Sequence, residues 1–289
     1  MNWDHIVSDF RSYLRLERSM SENTINSYIS DIRKLNDFVP VSETLSSEDI
    51  SEFIESQQNC GISKRSQARM VSAFRTFYKF LELEGYIKTN PTDRIGTPKL
   101  SKYIPVVLSL DEVESIISAV DLSDPLGHRN KAILETLYSC GLRVSELVEL
   151  KVSDLFFDES FIRVTGKGDK QRLVPVGEPA KEAILHYLKQ TSRLFAKEDT
   201  LFLNRRGKKL SRVMVFNIVK NHAAKAGITK TISPHTFRHS FASHMVENGA
   251  DLRAVQQMLG HESILTTEIY THIDAKKWER EILEHHPRG

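Results

Sequence analysis

Apolar residues recur at helical spacing through the first 88 residues. Trp3, Ile6, Val7, Phe10, Leu14 and Leu16 form one stripe, and Ile25, Tyr28, Ile29, Ile32, Leu35 and Phe38 form another. A period of three to four residues predicts amphipathic helices. Ser21 opens the second of them. "SSEDISEFIE" predicts a third helix, capped by Ser46 or Ser47 and acidic in its first turn, where a side-chain oxygen satisfies an otherwise orphaned N–H. "SKRSQARMVSAFRTFYKFLELEGY" predicts a fourth, ended by Gly85. Four short helices make a small bundle.

The period then breaks. "IKTNPTDRIGTPKLSKYIPVV" holds three prolines, a glycine and several basic residues, which reads as a semi-rigid cationic linker over residues 89–108. Helical patterning returns in "SLDEVESII", capped by Ser109, and in "HRNKAILETLYSCG" and "GLRVSELVEL". "FIRVTGKGDKQRLVPV" alternates with period two across two arms around Gly166 and Gly168, a β-hairpin signature. Helices resume from Pro179 to the end. The expected fold is mainly α with a small antiparallel β-sheet: a helical bundle (1–88), a basic linker (89–108) and a second domain (109–289).

Composition changes this picture little. A chain of 289 residues suits two domains of about 100–200 residues each. Its 40 Lys and Arg leave a formal charge of only +2, so a nucleic-acid partner requires basic residues gathered on one face. Cys60 and Cys140 lie far apart, which argues against a disulfide framework and fits a reducing compartment. The N-terminus lacks an apolar signal core, and no run reaches the ~20 residues of a membrane span. A cytoplasmic protein without membrane insertion is expected.

Candidate chemistry gathers in "HTFRHSFASHMVENGADLRAVQQMLGHESILTTEIYTHI", His235 to Ile273. Pro234 suits a first helical turn, and His235, Arg238 and His239 then fall on one face. His–x3–His is metal-ligand spacing, but a zincin carries Glu after the first His, where this chain has Thr236. No metal is expected. His239 and His244 read as hydrogen-bonded, partly buried rings. "NGAD" and "LGHES" mark turns, with Gly260 as a helix C-cap and His261 in the turn after it. By pattern alone Tyr270 reads as a core residue, Lys167 as a solvated turn residue, and Cys140 as packing. "GKGDK" lacks the glycine spacing and the Ser or Thr of a phosphate-binding Walker loop.

The segment from Ser233 to Ile273 resembles the C-terminal signature of the tyrosine site-specific recombinases, the phage integrase family. Within it the chain looks like the Xer recombinases of the XerC and XerD type, which resolve chromosome dimers. "YSCGLRVSELVEL", "VTGKGDKQRLVPV", "LFLNRRGKKLSR", the linker and the N-terminal bundle agree in order and spacing. The resemblance covers essentially the whole chain. It implies a SAM-like core-binding bundle followed by a catalytic domain whose last helix, with Trp278, Ile282 and Leu283, docks into a neighbouring protomer; docking against its own domain is the alternative. It assigns Arg143, Lys167, His235, Arg238 and His261 as activating residues and Tyr270 as nucleophile. His261 stands where some members have tryptophan.

These residue types suit the implied reaction. Tyrosine attack on a phosphodiester makes a 3′-phosphotyrosyl link and frees a 5′-hydroxyl, so bond energy is kept and no ATP or other cofactor is expected. Two guanidinium forks, Arg143 and Arg238, can grip the phosphate oxygens. His235 is the natural base, Lys167 the acid for the leaving oxygen, and His261 a donor to phosphate. Glu146 is placed to buttress Arg143.

The resemblance further implies a double-stranded DNA recombination site and a homo- or hetero-tetramer on two such sites, with a septal DNA translocase as a further possible partner. Two domains on a basic linker suggest a clamp on the duplex. Lys64, Arg65, Arg69, Arg75 and Lys79 in the first domain are candidate DNA contacts. In the second they are Lys170, Arg172, Arg205, Arg206, Lys208, Lys209 and Arg212, with about half expected to be plain surface charge. The rival readings are a phage or transposon integrase with the same chemistry, and an inactive sequence-specific DNA-binding protein.

Overall fold

The computed structural model describes residues 3–39, 45–98, 106–166, 169–190, 199–260 and 281–287. It divides into two compact units, Met1–Tyr103 and Ile104–Gly289, with the boundary inside the expected linker.

The first unit holds four helices, α1 (Trp3–Leu16), α2 (Glu22–Phe38), α3 (Ser47–Asn59) and α4 (Lys64–Leu83). Ser21, Ser46 and Ser63 cap the last three, each accepting a backbone N–H. Ser46 rather than Ser47 is the cap of α3, and Asp49 answers by accepting the Ser46 N–H at 2.8 Å. The periodic residues Phe10, Ile25, Ile32, Leu35, Phe74 and Phe77 are fully buried; each such side chain contributes about 1.5–3 kcal/mol on leaving water. Leu16 and Phe38, at the ends of their stripes, are exposed. The start of the linker is packed rather than solvated. Ile95 is buried, Arg75 donates to its carbonyl at 2.6 Å, and Ser47 Oγ donates to Pro91 O at 2.8 Å.

The second unit comprises α5 (Leu110–Ser118), α6 (Gly127–Ser139), α7 (Val144–Glu149), strands β1 (Leu155–Phe156), β2 (Phe161–Thr165) and β3 (Gln171–Pro175), then α8 (Glu178–Gln190), α9 (Arg212–Lys225), α10 (Pro234–Glu247) and α11 (Leu252–Leu259). The sheet is antiparallel in the order β1-β2-β3. Its hairpin was legible in the alternation; the two-residue β1 was not. Residues 199–211 are not helical as expected: they run through isolated bridges, Lys151↔Thr200 and Leu203↔Lys209, around an exposed turn. Helix α6 is the centre of the unit, with Ala132, Ile133, Leu134, Leu137 and Tyr138 fully buried, and it packs on α8 and α10. Phe237 and Phe241 press α10 into the same core, and Leu108 N–H donates to buried Ser240 Oγ at 2.9 Å, seating the chain as it enters the unit. Residues 281–285 form a helical turn against this unit: Ile282 and His286 are buried in it, and Asn248 Nδ2 donates to His285 O at 2.8 Å. Leu283 is exposed. The described part of the tail, residues 281–287, lies against its own domain. Among the described residues no helix is long and apolar enough to cross a membrane.

Candidate active site

Three buried or half-buried arginines from distant parts of the chain meet one buried carboxylate. Arg143 immediately precedes α7, and Glu146 stands one turn on. Glu146 Oε2 accepts the Arg143 backbone N–H at 2.8 Å, and Oε1 accepts from its guanidinium at 2.9 Å. Arg172 on β3 donates from Nη1 and Nη2 to the two oxygens of Glu146, at 2.8 and 2.9 Å. Arg238 on α10 lies 3.8 Å from Glu146 Oε2. Paired guanidinium–carboxylate geometry of this kind is the strong form of the charged hydrogen bond.

Backbone carbonyls complete the frame. Arg143 Nη2 donates to Gly260 O at 3.0 Å, Arg238 Nη1 to Gly141 O at 2.8 Å, Arg238 Nη2 to Leu259 O at 2.5 Å, and Arg172 Nε to Met258 O at 2.8 Å. The C-terminal end of α11, whose carbonyls have no helical partner, thus satisfies three cations. Gly260 follows as a left-handed C-cap (φ +65°), and His261 is the next residue in the sequence. Gly141 is also left-handed (φ +57°), which aims its carbonyl at Arg238; a Cβ there would lie 2.6 Å from Phe241 Cδ1.

The electrostatics follow from this packing. Burial alone would raise the Glu146 carboxyl, but the hydrogen bonds and charge of Arg172, then Arg143, outweigh it and hold the group below its ordinary value. Burial, then the neighbouring Arg143 and Arg172, push Arg238 down to about 10 despite Glu146; it remains charged at neutral pH. His235 sits in the first turn of α10 and is exposed. Partial desolvation, then Arg238, His239 and Arg143, lower it from its usual value, which favours the neutral imidazole.

Of the six expected catalytic residues, Arg143, His235 and Arg238 lie together here. Lys167, His261 and Tyr270 lie outside the described residues, as does Trp278. The hairpin that carries Lys167 is closed by Gly166 N–H donating to Lys170 O at 2.8 Å, and Asp169, not Gly166, takes the left-handed backbone (φ +58°). Cys140 is fully buried and its thiol is pushed up to about 12 by that burial, consistent with packing. His244 is buried and shares a hydrogen bond with Tyr138 Oη at 2.8 Å, whereas His239 is exposed rather than partly buried.

Arg172, expected as a DNA contact, is 6% exposed, and its guanidinium is turned inward on Glu146 and Met258. The signal was present in the strand, because Arg172 is in phase with buried Val174 and pairs across the ladder with buried Val164. Lys170, Arg205, Arg206, Lys64 and Arg65 are exposed. Arg69 is tied to buried Asp31, Arg75 to Ile95 and Thr97, Lys79 to Glu82, and Lys209 to Glu149.

Comparison with known proteins places this arrangement. Residues 106–277 match the Phage integrase family, and residues 7–85 match the family described as Phage integrase, N-terminal SAM-like domain. The chain belongs to the phage integrase family. It is a site-specific tyrosine recombinase, a DNA strand-exchange enzyme. The recombinase is 44% identical over 297 residues to "Tyrosine recombinase XerD" of Chlorobaculum tepidum, covering 99% of this chain and 98% of that one. It is 32% identical to the crystal structure of XerA recombinase, covering 100% of each chain, with a TM-score of 0.51. It shares its fold with XerH site-specific recombinase bound to a palindromic difH substrate in a post-cleavage complex, at 23% identity, with 95% of this chain and 83% of that one covered and a TM-score of 0.72.

Proposed function

We propose that this recombinase resolves chromosome and plasmid dimers at cell division, acting at a double-stranded DNA recombination site as a homo- or hetero-tetramer on two sites, with a septal DNA translocase as a further partner. The near full-length relationship to XerD supports this role over that of a phage or transposon integrase. The observation that carries the chemistry is the convergence of Arg143 and Arg238 at the end of α11, one residue before the segment that bears His261 and Tyr270.

In this reading the two guanidiniums hold the non-bridging oxygens of the scissile phosphate as negative charge gathers there, and such preorganised charge is a large catalytic contribution. A phenol with a reference pKa of about 10 is mostly protonated at neutral pH. The neutral His235 accepts that proton as Tyr270 Oη bonds to phosphorus. The phosphorus–O5′ bond breaks, and Lys167 delivers a proton to the leaving oxygen. His261 donates to a phosphate oxygen. Attack by the 5′-hydroxyl of the partner strand runs the steps backward and releases the tyrosine. Each proton transfer is worth about 10²–10⁴-fold. Lys64, Arg65, Arg69, Arg75, Lys170, Arg205 and Arg206 serve the phosphate backbone around the site, an interaction that weakens steeply with salt.

A suicide duplex nicked beside the crossover tests this. The protein should become covalently joined to DNA in EDTA, and Tyr270→Phe should bind the duplex without forming the adduct. An adduct from Tyr270→Phe would remove the proposed nucleophile, and binding without any adduct from the parent would favour the inactive DNA-binding protein.

A further inference from the structure

Arg172 is the one cation of the cluster that the site reading leaves without a task. Its Nε, Nη1 and Nη2 are committed to Met258 O and to both oxygens of Glu146, and it is almost fully buried, so it does not face a phosphate. Its position links three segments. It stands on β3, five residues after Lys167 in the same hairpin. It grips Glu146, which also holds Arg143. It also seats the end of α11, where a Cβ on Gly260 would come within 3.2 Å of its Cζ. Glu146 already contacts Arg143 at 2.9 Å and lies 3.8 Å from Arg238. An unneutralised carboxylate at this distance would compete with a phosphate for those two cations, and in a buried setting such competition is strong.

We infer that Arg172 is a positioning residue for strand cleavage: by pairing with both oxygens of Glu146 it offsets that charge, so that Glu146 orients Arg143 without drawing it or Arg238 away from the scissile phosphate. The same contacts hold the lysine hairpin in register with the origin of the tyrosine segment. The inference rests on the assignment of Arg143 and Arg238 to that phosphate.

The test uses the full-length protein and the nicked suicide duplex. Arg172→Gln should bind DNA within about twofold of the parent, because no backbone contact is lost, while adduct formation slows by about 100-fold. Adding Glu146→Gln to Arg172→Gln removes the competing carboxylate and should restore about tenfold, a coupling expected of residues in contact. A duplex with a neutral methylphosphonate at the scissile position should narrow the gap between Arg172→Gln and parent, since no anion is then contested. If Arg172→Gln does not fold, Arg172→Gln/Glu146→Gln is compared with Glu146→Gln alone, and near-equal rates are expected. The inference is overturned if Arg172→Gln cleaves as fast as the parent or if its binding falls in step with cleavage. It is equally overturned if the double variant is no better than the single one, or if the methylphosphonate leaves the gap unchanged. Parent and Tyr270→Phe run in parallel separate this from failure of the site assignment, which would show as no adduct from the parent or an adduct from Tyr270→Phe.

Discussion

Gly141 connects the central helix to the first arginine, and its replacement by alanine offers a graded test of the packing. Two costs apply. A left-handed backbone (φ +57°) strains any residue with a Cβ by about 1–2 kcal/mol. The new methyl would also lie 2.6 Å from Phe241 Cδ1 and 3.0 Å from Leu259 Cδ2, inside a core where added methylenes cost about 1–3 kcal/mol. Gly227 separates the terms. It belongs to the same unit and is also left-handed (φ +72°), but nothing lies within 4 Å of its Cβ position. Gly227→Ala should lose only the strain, and Gly141→Ala both. In urea unfolding followed by circular dichroism, the midpoint for Gly141→Ala should fall below that of Gly227→Ala by about 0.3–1.5 M at an m-value of about 2–3 kcal/mol/M. Cleavage should fall further in Gly141→Ala, because Gly141 O anchors Arg238. Equal midpoints for the two variants would refute the crowding argument, and full cleavage by Gly141→Ala would refute the anchoring.

Two further outcomes follow from the charges. In the DNA-free protein, NMR titration of His235 should give a midpoint below 6.5, and Arg143→Gln should move it upward by removing a neighbouring cation; a midpoint above 6.5 would contradict the cation-rich setting. Glu146 has a lowered folded value, so its ionised pairing stabilises the fold above its unfolded value near 4.5 and is lost as pH falls through the folded value. The stability difference between parent and Glu146→Gln, measured by urea unfolding at several pH values, should therefore shrink below about pH 4.5. A difference constant from pH 7 to 3 would show that the carboxylate charge is not what matters.

Local features were legible in the sequence because their causes are local. Ser21, Ser63 and Ser109 announce helix starts, Gly85 and Gly260 announce ends, and the alternation from Phe161 to Val176 gives the hairpin. Of the residues expected at the site, Arg143, His235 and Arg238 lie together. What escaped depends on partners far along the chain. Arg172 reads as surface charge until the strand phase and Glu146 are considered together. Residues 199–211 carry too short a pattern to distinguish a bridge from a helix. The linker gave no hint that Ile95 would be taken into the first core.

Among the described residues, Arg143, Arg172 and Arg238 crowd around one carboxylate, Glu146, an excess of two positive charges. Holding Arg238 ionised there, when its affinity for a proton has dropped to about 10, costs on the order of a few kcal/mol. The guanidiniums thus repel one another across the site, Arg143 and Arg172 each lowering Arg238. In the proposed role, the charge that weakens the fold is the same charge that attracts a phosphate, so substitutions that relieve the repulsion should also slow DNA cleavage.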